Sequence, residues 1–425
     1  MGKYIFSLGK IGLWEPARPL LWPILMGFVW KIGLNALLFS SLINILLASS
    51  SIYLLYELIN CLNDDKTALL FCFLFSINIS IIYFTNKMAV DIAAMFLSLL
   101  AFYFLIKKQR FLLSGIFMGL AVLTKFTYLW LIPILILGCL IEKKDKIKKS
   151  VLFMVGFSVL IIPFLISNIV LYNNLFAPFI FANDLISRVV GNYYCPTSAF
   201  FYISNLLITS FIIILAVIPI LLAFKHPLEK KNIFLLAFLV PFLYHSFMLN
   251  CKDMRYSLIF LPFLYILSGS GFEEVSKILK KPLRYALISA IILQSIISLA
   301  GVSYALKRSP MPAEYKAFYS YLEGRHVKGD IWSSTPVISA VHDIKIDELM
   351  YYEVWDNKRI EELSKKTGNN IQYIFINSCD LPCVRYDPDC PERSKKFFSL
   401  ISESFELVFN STVNGCELKI YQEKK

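Results

Sequence analysis

The sequence predicts a membrane all-α protein with about ten transmembrane helices and a small C-terminal extracytoplasmic α/β domain. Of its 425 residues, 57% are hydrophobic and 17% are charged, whereas soluble globular proteins carry about 25% charged residues. Long apolar runs recur through residues 1–306. Eighteen of the 30 acidic residues lie after Lys307, so the composition changes from membrane-like to soluble there.

Three regions follow from these patterns. Residues 1–33 form a segment at the outer face, residues 34–306 form the transmembrane helical domain, and residues 307–425 form the extracytoplasmic domain. The apolar run Leu20–Gly33 is short and contains Pro23, so it is expected to be an interfacial helix and not a span.

Ten further apolar runs are predicted as spans. They are Leu34–Leu58, Thr67–Phe84, Met88–Ile106, Phe111–Leu123, Tyr128–Ile141, Ser150–Leu171, Phe201–Phe224, Ile233–Leu249, Tyr256–Gly271 and Tyr285–Tyr304.

Clusters of basic residues fix the expected orientation. The clusters Lys107–Arg110, Lys143–Lys149, Lys225–Lys231 and Lys277–Arg284 fall on alternate connections between the spans. Such connections are cytoplasmic by the positive-inside rule, so the N-terminus and the tail after Lys307 are expected outside the cell membrane. These loops explain the net charge of +12 without a nucleic-acid partner.

The tail is predicted to contain short strands, helices and disulfides. The strands are Asp330–Ser333, Gln372–Asn377, Phe405–Ser411 and Glu417–Gln422, and the helices are Ala313–Glu323, Lys358–Lys366 and Glu392–Ser402. An exported tail permits disulfides, and the candidates are Cys379, Cys383, Cys390 and Cys416. Four cysteines allow three pairings, which the sequence leaves open. A zinc site is the alternative, although paired C-x-x-C motifs and a nearby histidine are absent from the sequence.

Acids and bases on the outer connections are the candidates for chemistry. The acids include Glu15 and Asp91, and the bases include Arg18, Lys87, Lys125, Lys252 and Arg255. Such a set suits a lipid phosphate, which needs Lys or Arg, and an acceptor hydroxyl, which needs a carboxylate base.

Each leading candidate also has a structural interpretation. Asp91 could be only the N-terminal cap of its helix. Lys125 could extend along the bilayer to reach its surface, and Arg255 could anchor a helix at the interface. His245 is expected to pack between helices.

Three stretches in order resemble the membrane core of lipid-linked-sugar glycosyltransferases. Asp91-x-x-Ala94, a basic turn and Gly115-x-x-x-Gly119-Leu-Ala-x-Leu-Thr-Lys125 look like the core of dolichyl-phosphate-mannose protein mannosyltransferases and bacterial aminoarabinose transferases. Ala17-Arg18-Pro19-Leu20-Leu21 resembles the Arg-Pro-Pro-Leu segment of that superfamily, and Lys252–Pro262 resembles its Glu-Arg-Tyr helix.

The resemblance implies an enzyme that takes a sugar from a polyprenyl- or dolichyl-phosphate carrier at the outer face. Lys125, Arg255, Arg18, Lys87 and Lys252 are then expected to bind substrate. The acceptor would be a protein or a glycolipid. No cofactor is expected besides the donor substrate, no structural metal is predicted, and a metal requirement stays open.

The sequence departs from this superfamily at its start. Members carry an extra span and an outer loop with the principal catalytic acid before the Arg-Pro-Pro-Leu segment. Here 17 residues precede Arg18, and Glu15 is the sole acid among them. We therefore expect the first span and its acid to be lacking, and Asp91 and Glu15 are the catalytic candidates.

Two alternatives remain at this stage. A transporter or lipid flippase would show corresponding broken spans with a charge at the midplane of the bilayer. A non-catalytic glycolipid-binding remnant of the superfamily would bind the carrier without transfer.

Overall fold

The computed structural model describes residues 1–87, 90–141, 144–184, 197–209, 211–223, 231–249, 252–305, 311–350, 365, 371–381, 383 and 388–424. A bundle of helices occupies the chain up to residue 305, and a five-stranded sheet with helices occupies the tail. The predicted fold class is confirmed. The helices of the bundle are α1 (Gly2–Phe6), α2 (Leu21–Lys31), α3 (Ala36–Ile59), α4 (Asp65–Ser76), α5 (Ile79–Thr85), α6 (Asp91–Ile106), α7 (Phe111–Thr124), α8 (Ile132–Ile141), α9 (Lys146–Tyr172), α10 (Ala177–Asp184), α11 (Phe201–Thr209), α12 (Ile212–Ala223), α13 (Lys231–Leu243), α14 (Leu261–Ile278) and α15 (Lys281–Ala305).

Within those ranges, four helices are long and apolar enough to cross a membrane. They are Ala36–Ile59, Lys146–Tyr172, Lys231–Met248 and Lys281–Ala300. The pair α4 and α5, bent by 54°, would make a fifth span. Shorter apolar helices, among them α6 and α7, complete the bundle, and the total number of spans stays a prediction.

Several predicted spans are broken in the structure. The run Thr67–Phe84 divides because Asn78 accepts a hydrogen bond from the Ser80 amide and starts a new helix. The run beginning at Tyr128 opens with a 3-10 helix, Phe126–Leu131, before α8. The run Tyr256–Gly271 likewise opens with a 3-10 helix, Met254–Ile259, before α14. The end of α13 continues into a π-helical turn, Tyr244–Met248.

The hairpin of α6 and α7 lies at the centre of the bundle. Its basic turn contains Gln109 with φ of 51°, a left-handed conformation that reverses the chain. The Ser114 hydroxyl donates to the Ala101 carbonyl across the hairpin at 2.8 Å. Helix α9 crosses α7 backbone to backbone, since a Cβ on Gly115 would lie 2.0 Å from the Phe153 carbonyl oxygen. Any larger residue at Gly115 would separate these helices.

The tail contains helices α16 (Ala313–Tyr319), α17 (Val337–Val341) and α18 (Cys390–Ser404), and its strands are β1 (Asp330–Ser333), β2 (Glu348–Leu349), β3 (Ile371–Asn377), β4 (Phe405–Val413) and β5 (Cys416–Glu423). The sheet order is β2-β1-β3-β5-β4, parallel from β2 to β3 and antiparallel from β3 to β4. The predicted helix Lys358–Lys366 lies almost wholly outside the described residues.

The four candidate cysteines form two disulfides, so the disulfide prediction is confirmed. Cys379 pairs with Cys416, and Cys383 pairs with Cys390, with Cα atoms 5.3 and 5.7 Å apart. The first bond joins the end of β3 to the start of β5. The second joins the segment after β3 to the start of α18.

The N-terminal segment connects the tail to the bundle. Gly12 and Ile344 pair through their backbones, and the Lys3 ammonium lies 3.0 Å from the Asp343 carboxylate. Leu13 is buried in the core of the tail domain. Helix α2, which ends the same segment, packs on the start of α6 through Trp22 and Met26. The tail therefore lies at the end of the bundle where α6 begins.

Candidate functional site

Asp91 and Lys125 form a buried ion pair at this end of the hairpin. Asp91 is the first residue of α6, and the residue in the capping position is Val90. Asp91 is therefore not the N-cap residue itself. Its carboxylate accepts a hydrogen bond from the Lys125 ammonium, and their side chains are 7% and 15% exposed.

The local backbone directs Lys125 toward Asp91. Helix α7 ends at Thr124, and Lys125 itself is extended, with φ of −155° and ψ of 116°. The following 3-10 helix then carries the chain away. Lys125 therefore leaves the helix axis at the depth of Asp91 and does not extend into lipid. Because Asp91 lies at the N-terminus of α6, the helix dipole also favours its negative charge.

Arg255 joins this pair through the ring of Tyr256. The Lys125 ammonium lies 4.7 Å from the centre of that ring, and the Arg255 guanidinium carbon lies 5.0 Å from it. Arg255 also donates a hydrogen bond to the Tyr256 hydroxyl at 3.3 Å. Its side chain is 46% exposed and contacts Asp253 at 3.4 Å. The structure thus brings Asp91, Lys125 and Arg255 together, with one cation buried and one open to solvent.

Two other predicted binding residues make contacts of their own. Lys87 is exposed, lies just after the end of α5, and its ammonium lies over the ring of Tyr83 at 4.7 Å. Lys252 is buried and donates to the Thr197 carbonyl at 3.1 Å.

Glu15 and Arg18 form a second pair, near the start of α2. The Arg18 Nε lies 3.5 Å from the Glu15 carboxylate, with side-chain exposures of 49% and 27%. The neighbouring Trp14 donates from its indole to the Tyr172 hydroxyl at 2.8 Å, at the end of α9. Glu15 is therefore held at the same end of the bundle as Asp91, and its side chain is partly exposed.

Sequence reasoning did not place several aromatic and polar residues beside the cluster, although it expected His245 to pack between helices. They are Tyr128 and Tyr256, both buried, and His245 with Ser246 on the π-helical turn. Tyr256 follows Arg255 within the stretch Lys252–Pro262 that resembles the Glu-Arg-Tyr helix, and it could have been found from that resemblance. The part played by His245 depends on contacts between distant helices, which a single sequence does not show.

Metal ligands are not gathered at this site. Across the ranges that the structure describes, no three His, Cys, Asp or Glu side chains are grouped so that they could hold a metal ion.

Comparisons with known proteins agree with this architecture. The model of the dolichyl-phosphate-mannose-protein mannosyltransferase family matches residues 17–168, a range that includes Arg18, Asp91 and Lys125. No curated protein sequence matches the chain significantly.

Solved structures resemble the chain over its whole length. ArnT from Cupriavidus metallidurans bound to undecaprenyl phosphate has a TM-score of 0.61 at 14% identity, with 99% of this chain and 91% of that chain covered. The Archaeoglobus fulgidus oligosaccharyltransferase tethered to an acceptor peptide has a TM-score of 0.63 at 12% identity, covering 100% and 69%. The arabinofuranosyltransferase AftD from Mycobacteria has a TM-score of 0.53 at 9% identity, covering 99% and 39%.

The fold is therefore the one seen in these membrane glycosyltransferase structures. The resemblance to the lipid-linked-sugar glycosyltransferases of the mannosyltransferase, ArnT and oligosaccharyltransferase type, drawn from the residues between Asp91 and Lys125, is confirmed.

Proposed function

We propose that the protein transfers a sugar from a polyprenyl-phosphate carrier to an acceptor at the outer face of the membrane. The observation that carries this proposal is the convergence of Lys125 and Arg255 on Tyr256, beside the Asp91 carboxylate. The fold and the family match support the same class, and ArnT of this fold was solved with undecaprenyl phosphate bound.

The two cations are suited to the phosphate of the carrier. Arg255 is partly exposed and presents a planar fork that can bind two phosphate oxygens. Lys125 is closer to the apolar bundle and supplies a point charge. Asp91 orients Lys125 before the carrier binds. Both cations would then stabilise the phosphate as it leaves with the bonding electron pair.

Glu15 is the proposed base for the acceptor. The acceptor hydroxyl attacks the anomeric carbon, the bond from that carbon to the phosphate oxygen breaks, and the hydroxyl proton passes to a carboxylate. Asp91 is buried against Lys125, whereas the Glu15 carboxylate is reachable from water. Glu15 is thus the better placed of the two to receive this proton, and Asp91 positions Lys125.

The position of the tail supports an extracytoplasmic active site. The tail contacts the N-terminal segment through Gly12 and Lys3, and it carries two disulfides, which form in oxidising compartments. A tail outside the cell would place Asp91, Lys125 and Arg255 at the outer leaflet. An acceptor, protein or glycolipid, would reach them between the tail and the bundle.

A transporter is the alternative that one observation favours. The bend of 54° between α4 and α5 breaks a span, as broken helices do in many transporters. Yet Asp91 and Lys125 lie at helix ends and not in the middle of a span, which favours chemistry at one face.

The direct test is sugar transfer in membranes that contain the protein. Wild-type protein should move labelled hexose from a polyprenyl-phosphate carrier to protein or lipid acceptors. Glu15→Gln should abolish most transfer and leave carrier binding intact. Glu274→Gln, a control at an exposed carboxylate of α14, should keep wild-type transfer. Carrier binding without transfer by well-folded wild type, across many donors and acceptors, would identify a non-catalytic remnant instead.

A further inference from the structure

The π-helical turn Tyr244–Met248 contains buried polar atoms that have no partner. His245 is 0% exposed and Ser246 is 1% exposed. In the described part of the chain, neither His245 Nε2 nor Ser246 Oγ makes a hydrogen bond, and the same holds for the hydroxyl of the buried Tyr128. Buried polar atoms are nearly always paired in folded proteins. Three such atoms in neighbouring elements form a group that a polar ligand could satisfy.

This group lies directly beside the phosphate-binding cations. The His245 ring is 5.4 Å from the ring of Tyr256, which Lys125 and Arg255 both contact. Tyr128 belongs to the 3-10 helix that follows Lys125, and its amide donates to the Lys125 carbonyl at 3.1 Å. The rings of Trp130 and Tyr244 lie 4.6 Å apart and hold this helix against the π-helical turn.

The hydrogen-bonding character of these atoms selects a hydroxyl-bearing ligand. His245 Nδ1 lies 2.7 Å from the Pro241 carbonyl oxygen, which can only accept, so Nδ1 carries the proton of the neutral ring. Nε2 is then an acceptor. An acceptor repels a phosphate oxygen but binds a hydroxyl. The Ser246 and Tyr128 hydroxyls can each donate or accept, so all three groups can hydrogen-bond the hydroxyls of a sugar.

We propose that His245, Ser246 and Tyr128 bind the sugar hydroxyls of the lipid-linked donor, next to the cations that hold its phosphate. This inference rests on the proposed function and names the part of the substrate that the turn recognises. The three atoms are closed to water, so the sugar reaches them by local repacking of the turn. A π-helical turn suits this role because such turns are irregular and are frequent at functional sites.

The test compares carriers with and without a sugar. Binding of bare polyprenyl phosphate and of polyprenyl-phosphate mannose, glucose and aminoarabinose is measured on detergent-solubilised full-length protein. Wild type should bind at least one sugar-bearing carrier more tightly than the bare carrier. His245→Phe should lower that affinity about 3- to 10-fold, as expected for a lost hydrogen bond, and leave bare-carrier affinity unchanged. His245→Gln, which restores an acceptor, should recover part of the loss.

Two substitutions that change fewer atoms keep the test decisive if His245→Phe does not fold. Ser246→Ala and Tyr128→Phe each remove one oxygen and should each reduce only the affinity for sugar-bearing carriers. Phe247→Leu, on the exposed side of the same turn, should change neither affinity.

Different failures separate the two proposals. A wild type without preference for any of the three sugars overturns this inference but leaves the proposed function standing, and so do variants that weaken all carriers equally. A wild type that does not bind bare polyprenyl phosphate overturns both.

Discussion

The two ends of helix α6 both carry a lysine–carboxylate pair, but their surroundings differ. Asp91 at the first residue pairs with Lys125, and Lys107, just after the last residue, pairs with Glu57. Each charge has the sign that the helix dipole favours at its end. The Lys107 pair is more open, with exposures of 33% and 14%.

The difference lies in what each pair has around it. Both ends have a second cation over a neighbouring ring, Arg255 over Tyr256 and Lys108 over Tyr103. The Asp91 end adds the unpartnered atoms of His245, Ser246 and Tyr128. Among the described residues near Glu57, neither Tyr53 nor Tyr103 carries a buried polar atom without a partner. Deeper burial of the ion pair and unsatisfied groups beside it therefore distinguish the Asp91 end as the candidate ligand site.

The largest expected effect comes from removing one partner of the buried pair. Lys125→Met leaves the Asp91 carboxylate buried without a cation and should lower the free energy of unfolding by about 3 kcal/mol. Lys107→Met breaks the more exposed pair and should cost about 1 kcal/mol or less. Denaturant unfolding in one detergent measures both.

A double variant controls this prediction. Asp91→Asn combined with Lys125→Met removes both charges and should recover part of the lost stability. Equal losses for Lys125→Met and Lys107→Met would show that burial does not distinguish the two ends.

A partly buried carboxylate with no ion pair among the described residues provides a third case, in the tail. Burial raises the pKa of the Asp380 carboxyl to about 6, although a hydrogen bond with the Asn377 side chain opposes the rise. One carboxylate oxygen of Asp380 has no partner among the described residues. The folded pKa of Asp380 lies above its unfolded value of 3.8. The stability that the protonated Asp380 carboxyl contributes is therefore fully present below pH 3.8. It is lost as the pH rises through about 6.

Asp380→Asn should therefore stabilise the tail at pH 7.5 by about 1 kcal/mol and change little at pH 4. Hydrogen exchange of strand β3 in the full-length protein reports this stability. The same gain at both pH values, or a loss at pH 7.5, would contradict a buried charge at Asp380.

Local patterns in the sequence predicted much of this structure. Asp330–Ser333 was predicted as a strand with its observed bounds, and Lys107–Arg110 was predicted as a turn. Both are determined by residues close in sequence. The two-residue strand β2 was missed because it is too short to show alternation of polar and apolar residues.

Long-range contacts were beyond such patterns. The pairing of Gly12 with Ile344 joins segments at opposite ends of the chain, and neither segment has a strand pattern. Lys252 was predicted to bind substrate, and the hydrogen bond from its ammonium to the Thr197 carbonyl could not be seen in the sequence. The sequence predicted candidates for the site from their charge and their expected side of the membrane. The packing of α6, α7 and the 3-10 helix before α14 determines that Asp91, Lys125 and Arg255 are the ones that come together.

The measurement that most directly tests the central claim is binding of bare polyprenyl phosphate to three variants. Lys125→Met should weaken binding by about 1.5–3 kcal/mol, the value of a hydrogen bond to a charged group. Arg255→Lys should also weaken it, because a point charge cannot replace a planar fork. Lys107→Met, at the other end of α6, should bind like wild type. Wild-type affinity in Lys125→Met, or an equal loss in Lys107→Met, would contradict a phosphate site at the Asp91 end of the helix.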